Sequence, residues 1–173
     1  AFLPIRMDDQ DPDYPAMVLG NYILGGSGLA SRLGERIRNE EGLSYSVGSG
    51  FAAPTGSDAA QFNGQAIAAP QNIPQVEASF LDELGNVLEA GFTDDEVAAA
   101  QSAWIQSRQN SRSQDGSLLG QLATNLHYDR TMAQSAELEA RVAALTPDDI
   151  RDAMNRHIDI DQLIIMKAGD FDQ

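Results

Sequence analysis

The sequence predicts an α+β fold, a largely antiparallel sheet with helices packed on one of its faces. Two neighbouring segments, 43–51 and 59–68, have the short alternating patterns of a β-hairpin. Stretches with helical spacing lie on both sides of this hairpin, and apolar segments that favour strands open and close the chain. With 173 residues, 42% of them apolar, the chain has enough material for one continuous core. We therefore expect a single domain over 1–173, taken from a longer protein.

The first predicted elements are a strand at 2–6 and a helix at 14–26, joined by the acidic loop 8–13. The strand starts almost at the first residue, which is the reason to expect a fragment. A second helix is predicted at 29–42, because its apolar residues are spaced four apart and Gly42 suits a helix C-terminus. These apolar residues are Leu29, Leu33 and Ile37.

The predicted hairpin follows this second helix directly. Alternation in 43–51 predicts a strand with one buried face, and the turn sequence at 53–58 leads to the returning strand at 59–68. The residues expected on the buried face of the first strand are Leu43, Tyr45, Val47 and Phe51. A bulge near Gly42 would be needed to turn Tyr45 out of the core.

Two consecutive helices are predicted after the hairpin. The first, at 73–91, has an apolar face and ends at Gly91. The sequence Thr-Asp-Asp-Glu at 93–96 is a capping box, so it starts the second helix, which we expect to continue towards Arg112.

The last part of the chain predicts more helix and a final strand. A helical stretch covers 116–144, with a break expected at 129–131. Thr146 as N-cap and Pro147 at the first helical position start another helix. The run 162–169 is apolar at nearly every residue, which predicts a strand in the centre of the sheet.

Charge and composition exclude several classes of function. The chain has 26 acidic and 11 basic residues and a formal charge of -15, so a nucleic acid or an anionic membrane surface would be repelled. It has no cysteine, which excludes disulfides, thiolate metal sites and cysteine nucleophiles. No apolar run reaches the roughly 20 residues needed to span a bilayer.

Metal-binding patterns are absent from the sequence. Its two histidines, His127 and His157, lie in different predicted elements, and no HxxEH or HxxxH motif is present. Three alternating aspartates imitate the start of a calcium loop, but Tyr14 and Gly20 stand where that loop requires Gly and Glu. These aspartates are Asp9, Asp11 and Asp13. We therefore predict no metal site in this chain.

Two glycine-rich runs also lack a known binding motif. The run at 25–28 lies between two predicted helices, and the run at 48–50 lies inside a strand. Neither has the spacing of a dinucleotide-binding loop, a phosphate-binding loop or a nucleophile elbow. Turns and a strand of small residues explain both, although Gly48 and Gly50 also indicate that something approaches the backbone closely.

Arg38 and Tyr45 are the remaining candidates for a functional role. In one interpretation Arg38 belongs to a solvated helix face and Tyr45 to the core. In the other, the end of the helix and the start of the strand converge at Gly42, so that a guanidinium and a phenol project into one cleft. Both groups are hydrogen-bond donors suited to a peptide carbonyl or to the oxyanion formed when water attacks it.

The segment 24–51 resembles the most recognisable part of the C-terminal-type, non-zinc domain of M16 zinc metallopeptidases, the pitrilysin and mitochondrial-processing-peptidase-like family. The segments 91–97 and 145–150 and the closing apolar run also follow the family's order, so the resemblance covers nearly the whole chain. The residues that carry it are Ser31, Arg32, Leu33, Arg38, Gly42, Leu43 and Tyr45.

The resemblance implies the fold shared by M16 peptidases and LuxS-like domains, and a division of labour. In the family, an N-terminal-type domain binds zinc through HxxEH, either in the same chain or in a partner subunit, and hydrolyses peptides with a zinc-activated water. The domain type seen here binds no metal and contributes an arginine and a tyrosine that hold the peptide substrate. These roles carry over to Arg38 and Tyr45 as substrate-binding residues, with no catalytic residue in this chain. Many bacterial relatives are exported, so a periplasmic or envelope location is compatible with the sequence.

Two alternatives remain open at this point. Some members of the family lack peptidase activity, so the chain is alternatively a structural or binding module of the same fold. A third interpretation is an unrelated α+β domain that binds a small anion at 25–28.

Overall fold

The computed structural model describes residues 1–170, which form a small antiparallel sheet with helices on one face. The strands β1, β2 and β3 span Phe2–Ile5, Ser44–Ala52 and Ala60–Ala68, in the sheet order β1–β3–β2. The α-helices α1 to α6 span Tyr14–Asn21, Ile73–Ala90, Asp94–Arg112, Asp115–His127, Met132–Ala143 and Pro147–His157. The predicted α+β fold is confirmed.

Two helical segments in the first half of the chain are π-helical. Tyr22–Gly26 continues α1, and Gly34–Glu40 leads towards β2, with a short 3₁₀ turn at Gly28–Ala30 between them. Both lie where helices were predicted, but the wider turn was not foreseen. π-helical turns occur often at functional sites. The second segment contains Arg38, one of the two candidate site residues.

The apolar spacing of the second helix is only partly reproduced. Leu33 and Ile37 are buried as predicted, but 55% of the surface of Leu29 is exposed. The reason is that Leu29 lies in the 3₁₀ turn before the helix and so does not share its buried face.

The predicted helix boundaries are confirmed in the second half of the chain. Thr93 and Glu96 form a reciprocal capping box at the start of α3, and Thr146 caps α6 in the same way with Asp149. The predicted break separates α4 from α5, where Asp129 has a φ of 52°. None of the helices within residues 1–170 is long and apolar enough to cross a bilayer.

The two faces of the sheet differ in their surroundings. One face packs against the helices, and its cross-strand pairs are Val47–Ala66, Ser49–Gly64 and Phe51–Phe62. Gly64 is required there, because a Cβ atom would lie 2.4 Å from the Phe80 ring of α2. On the other face the pairs are Ser46–Ile67, Gly48–Gln65 and Gly50–Asn63, in which Ser46, Gln65 and Ile67 are exposed and the other three residues are half-buried.

The prediction of a central strand at 162–169 is wrong. Ile164 forms only an isolated antiparallel bridge with Phe2, at the outer edge of β1. The two residues exchange N–H to carbonyl hydrogen bonds of 2.9 Å each. Ile165 and Met166 remain 37% and 75% exposed. An apolar run shows what a segment is able to bury, but it does not show that strands flank it on both sides.

Candidate functional site

β2 contains a bulge at Tyr45. Ser44 pairs with Ala68 and Ser46 pairs with Ile67, so Tyr45 has no partner on β3. An extra residue in one strand changes the alternation of side chains beyond it. Tyr45 is therefore turned away from the core and is 82% exposed, so the prediction that it lies on the buried face is wrong.

The hydroxyl group of Ser44 stabilises this bulge from inside. Ser44 is 5% exposed, and its Oγ lies 2.8 Å from each of two carbonyl oxygens, those of Ser46 and Ile67. Its single hydrogen is shared between a carbonyl of β2 and a carbonyl of β3, so the hydroxyl links the two strands at the bulge. No sequence signal pointed to Ser44, because a serine in a strand is ordinarily a solvent-facing residue.

Arg38 reaches the same place from the preceding π-helical segment. Gly42, with a φ of 64°, reverses the chain after this segment, in a conformation that glycine adopts without strain. The N–H of Leu43 then donates to the carbonyl of Ile37 over 3.0 Å, which closes the helix end. The helix C-terminus and the start of β2 therefore lie side by side.

Arg38 and Tyr45 are in direct contact. The guanidinium carbon of Arg38 lies 5.5 Å from the centre of the Tyr45 ring, a cation–π distance. Both side chains line an open groove of about 540 Å³, whose other walls include Ile67 and Asn72. Asn72 is held in place because its side-chain amide donates to the carbonyl of Leu43 over 3.2 Å.

The polar groups of this pair are available to a ligand. Within residues 1–170, the side chains of Arg38 and Tyr45 make no hydrogen bond and no ion pair, although the chain has 26 acidic residues. Arginine presents five N–H donors and tyrosine a hydroxyl group. The arrangement is therefore suited to bind carbonyl or carboxylate oxygens that enter the groove.

A network of charged side chains fixes the helical segment that carries Arg38. At its centre is Glu83 of α2, only 9% exposed, which accepts from Arg32 over 3.4 Å and from Arg36 over 3.1 Å. Arg36 also contacts Glu41 over 3.1 Å. We call Arg32, Arg36, Glu41, Glu83 and Glu96 the arginine–glutamate network. The sequence indicates Arg32 only as a residue of the family motif, and nothing in it points to Glu83.

Glu96 connects this network to the start of α3. Its carboxylate accepts from Arg32 Nε over 2.7 Å and Nη2 over 2.9 Å, and from the backbone N–H of Thr93 over 2.8 Å. These contacts, with that of Arg32 the strongest, lower the pKa of Glu96 from 4.5 to about 2. Glu96, which the sequence predicts as part of the helix cap, therefore also holds Arg32 and the start of the helical segment that carries Arg38.

The first glycine-rich run is a packing contact. Gly25 is buried, and a Cβ atom there would lie 2.3 Å from the backbone nitrogen of Ser49. A Cβ atom on Gly48 would lie 3.0 Å from the carbonyl oxygen of Gly25. The close approach indicated by Gly48 is therefore that of the preceding helical turn. Packing therefore accounts for Gly25 and Gly48 without a bound anion.

One group of possible metal ligands occurs within the described part of the chain. Asp11, Asp13 and His157 each place one ligand atom within 4.8 Å of the others. However, the carboxylate of Asp13 already accepts from Arg156 over 2.6 and 2.8 Å and contacts His157 Nε2 at 2.9 Å. A divalent cation would have to displace an arginine, so these residues do not fit a catalytic zinc.

The model of the family described as "Peptidase M16 inactive domain" matches residues 2–103. The chain belongs to this family. The match includes the π-helical segment, the bulge and β3, which together form the groove with Arg38 and Tyr45. The chain is thus a domain of the M16 type that is classified as inactive, and this agrees with the missing HxxEH motif.

Individual relatives support this assignment. An uncharacterized zinc protease of Streptomyces coelicolor is 35% identical over 140 residues, which cover 79% of this chain and 29% of the relative. The crystal structure of the peptidase M16 inactive domain from Pseudomonas fluorescens superimposes with a TM-score of 0.80 and 28% identity, over 93% of this chain and 38% of that one. A protease from Helicobacter pylori shares the fold with a TM-score of 0.77 at 13% identity, again over 93% and 38% of the two chains.

The chain spans less than half of the length of these relatives. The name of the Streptomyces coelicolor relative places zinc in the family, and the present chain matches the family's inactive domain.

Proposed function

We propose that this chain is the substrate-clamping domain of an M16 zinc metalloendopeptidase, which hydrolyses peptides only together with an HxxEH-bearing domain. That domain lies in the same protein or in a partner subunit and binds the zinc. The observation that carries the proposal is the convergence of Arg38 and Tyr45 in one open groove, with their hydrogen-bond donors unused within residues 1–170.

The clamp acts by donating hydrogen bonds to the substrate backbone. A peptide in the groove offers carbonyl oxygens, which accept from the guanidinium of Arg38 and from the hydroxyl of Tyr45. The cation–π contact uses the ring face of Tyr45 and restricts both side chains before a substrate arrives, so less conformational entropy is lost on binding. Donors placed in this way stabilise an oxyanion near the scissile bond as well as the bound peptide.

The family assignment supports the division of labour between two domains. This chain has no HxxEH motif, and its only group of possible ligands within residues 1–170 does not fit a catalytic zinc. The Streptomyces coelicolor relative is named a zinc protease, and the matched part is 29% of its length. The hydrolytic step therefore belongs to the other domain, and this chain contributes substrate binding and orientation.

Peptidase activity of the separate and combined domains tests the proposal. This chain alone, the HxxEH-bearing domain alone and their mixture are incubated with a mixed peptide library and zinc. We expect cleavage only in the mixture, and a loss of about 100-fold or more when Arg38→Ala removes a donor. The matched control is Arg6→Ala, which removes an exposed arginine at the opposite end of the sheet. Cleavage by the mixture that is insensitive to Arg38→Ala contradicts the clamp, and peptide binding without cleavage favours a non-catalytic binding module.

A further inference from the structure

We propose that Asn72 is a further substrate-binding residue, whose side-chain oxygen accepts a hydrogen bond from a backbone N–H of the bound substrate. This inference rests on the proposed function, because Asn72 lines the same groove as Arg38 and Tyr45. It also narrows the class of ligand. With an acceptor beside its donors, the groove recognises a whole peptide group rather than a carbonyl or a carboxylate alone.

Asn72 is fixed at the wall of the groove by the start of β2. The residue lies directly before α2 and is half-buried. Its side-chain nitrogen donates to the carbonyl oxygen of Leu43 over 3.2 Å, and Leu43 precedes Tyr45 by two residues. The amide of Asn72 is therefore held close to the bulge that presents Tyr45.

The side chain of Asn72 does not serve as a helix cap. An asparagine before a helix ordinarily accepts from a backbone N–H of the first turn through its side-chain oxygen. The threonines before α3, α5 and α6 do so, and their backbones are extended; these are Thr93, Thr131 and Thr146. Asn72 makes no such bond, and its backbone is helical, with φ -89° and ψ -14°. The usual structural use of its oxygen is therefore absent.

The chemistry of Leu43 decides which end of the amide remains available. A carbonyl oxygen only accepts, so the nitrogen of Asn72 and not its oxygen must face Leu43. Within residues 1–170, no group donates to the oxygen of Asn72. This oxygen is also not sealed off from solvent, because the described residues contain no buried side-chain oxygen or nitrogen that lacks a partner. It is therefore an acceptor that a ligand can reach.

This acceptor complements the donors of the groove. Arg38 has N–H groups but no acceptor, whereas a peptide group presents a carbonyl oxygen and an N–H together. An N–H that leaves water without finding an acceptor weakens binding. The groove has no carboxylate among its side chains, so Asn72 offers a neutral oxygen that leaves Arg38 without an ion pair. A ligand carboxylate would satisfy the donors, but it has no N–H for Asn72.

Peptides that lack one backbone N–H test this inference with the full-length protein. The tightest binder among labelled short peptides of mixed sequence is the parent, and each of its amides in turn is replaced by an ester. Affinity is measured by fluorescence polarisation with EDTA present to prevent turnover. Because an ester also has a weaker carbonyl acceptor, the readout is the difference in the ester effect between protein variants.

The protein variants separate the acceptor of Asn72 from its contact with Leu43. Asn72→Ala removes both, whereas Asn72→Asp keeps an acceptor oxygen and loses the donor to Leu43. The matched control is Asn155→Ala, since Asn155 also donates to a backbone carbonyl, that of Leu88 over 2.7 Å, but lies outside the groove.

We expect one ester to bind the wild-type protein about fivefold more weakly than the parent, the effect of one lost hydrogen bond. Asn72→Ala should abolish this difference at that position, while Asn72→Asp and Asn155→Ala should retain it. An ester effect that persists in Asn72→Ala at every position would overturn the inference. So would its equal loss in Asn72→Asp, because Asn72 would then act only through Leu43.

An Arg38→Ala arm distinguishes this inference from the proposed clamp. If both are correct, Arg38→Ala weakens binding of all peptides and retains the ester effect that depends on Asn72. If Arg38→Ala changes nothing while that ester effect remains, the clamp is wrong and Asn72 still binds peptide. Weaker binding by Arg38→Ala without an ester effect that depends on Asn72 overturns the role of Asn72 alone, and no peptide binding by the wild type overturns both.

Discussion

The guanidinium carbon of Arg38 lies 5.5 Å from the centre of the Tyr45 ring, although one residue belongs to a π-helical segment and the other to a bulged strand. Two local features produce this contact. Gly42 reverses the chain between the two elements, and the bulge turns Tyr45 to the side of Arg38. Substitutions that alter either feature should therefore disturb substrate binding without touching the two side chains themselves.

Ser44 offers a direct test of the bulge. Ser44→Ala removes the hydroxyl whose single hydrogen is shared between the carbonyl oxygens of Ser46 and Ile67, and it leaves these oxygens without that donor. We expect a loss of about 1–2 kcal/mol in the free energy of unfolding and a weaker binding of peptides. Urea denaturation measures the first effect, with Ser107→Ala on the exposed side of α3 as control. Stability and binding equal to those of the wild type would show that the bulge does not depend on Ser44.

Glu83 tests the arginine–glutamate network. Glu83→Ala leaves Arg32 and Arg36 without the partly buried carboxylate that joins them. Arg32 keeps Glu96, and Arg36 keeps Asp82 and Glu41, so neither charge is left unpaired. We therefore expect the free energy of unfolding to fall by about 2 kcal/mol, the loss of hydrogen bonds to one charged group. The control is Glu89→Ala, an exposed position of the same helix, where a change within about 0.5 kcal/mol is expected. A similar small change in both variants would contradict a structural role of the network.

The pKa of Glu96 predicts a pH dependence of stability. Arg32 and Thr93 lower this pKa in the folded protein to about 2, below the ordinary value of 4.5. A lowered pKa means that the stabilisation is fully present above pH 4.5 and is lost as the pH falls towards 2. Thermal unfolding at several pH values should therefore show a smaller acid-induced decrease for Glu96→Gln than for the wild type. Glu89→Gln should follow the wild type, and an identical decrease in all three proteins would contradict this account.

The order of elements and most helix ends could be predicted from the sequence, because they depend on local interactions. The capping box of Thr93 and Glu96 is formed by residues three apart, and the reversal at Gly42 requires only a glycine. The arginine–tyrosine pair was found through the family resemblance. The alternating pattern of the strand also fits a Tyr45 in the core, so the pattern alone does not decide between a core role and a binding role.

The remaining features depend on partners that are distant in sequence. The bulge at Tyr45 is defined by the register with β3, and an alternating pattern does not reveal one extra residue. In the same way, the apolar run around Ile164 did not indicate that it would bridge Phe2 at the sheet edge. Glu83 was missed because nothing in the sequence of α2 shows which arginines lie opposite it.

The phenol of Tyr45 tests the central claim most directly. Tyr45→Phe keeps the aromatic ring against which Arg38 packs and removes only the hydroxyl donor. With the HxxEH-bearing domain present, kcat/KM for a peptide is compared among the wild type, Tyr45→Phe and the control Tyr128→Phe, which changes a partly exposed tyrosine after α4. The substrate clamp predicts a decrease of about 100-fold or more for Tyr45→Phe, with an unchanged melting temperature and a normal rate for the control. A wild-type kcat/KM in Tyr45→Phe would show that this hydroxyl does not hold the substrate.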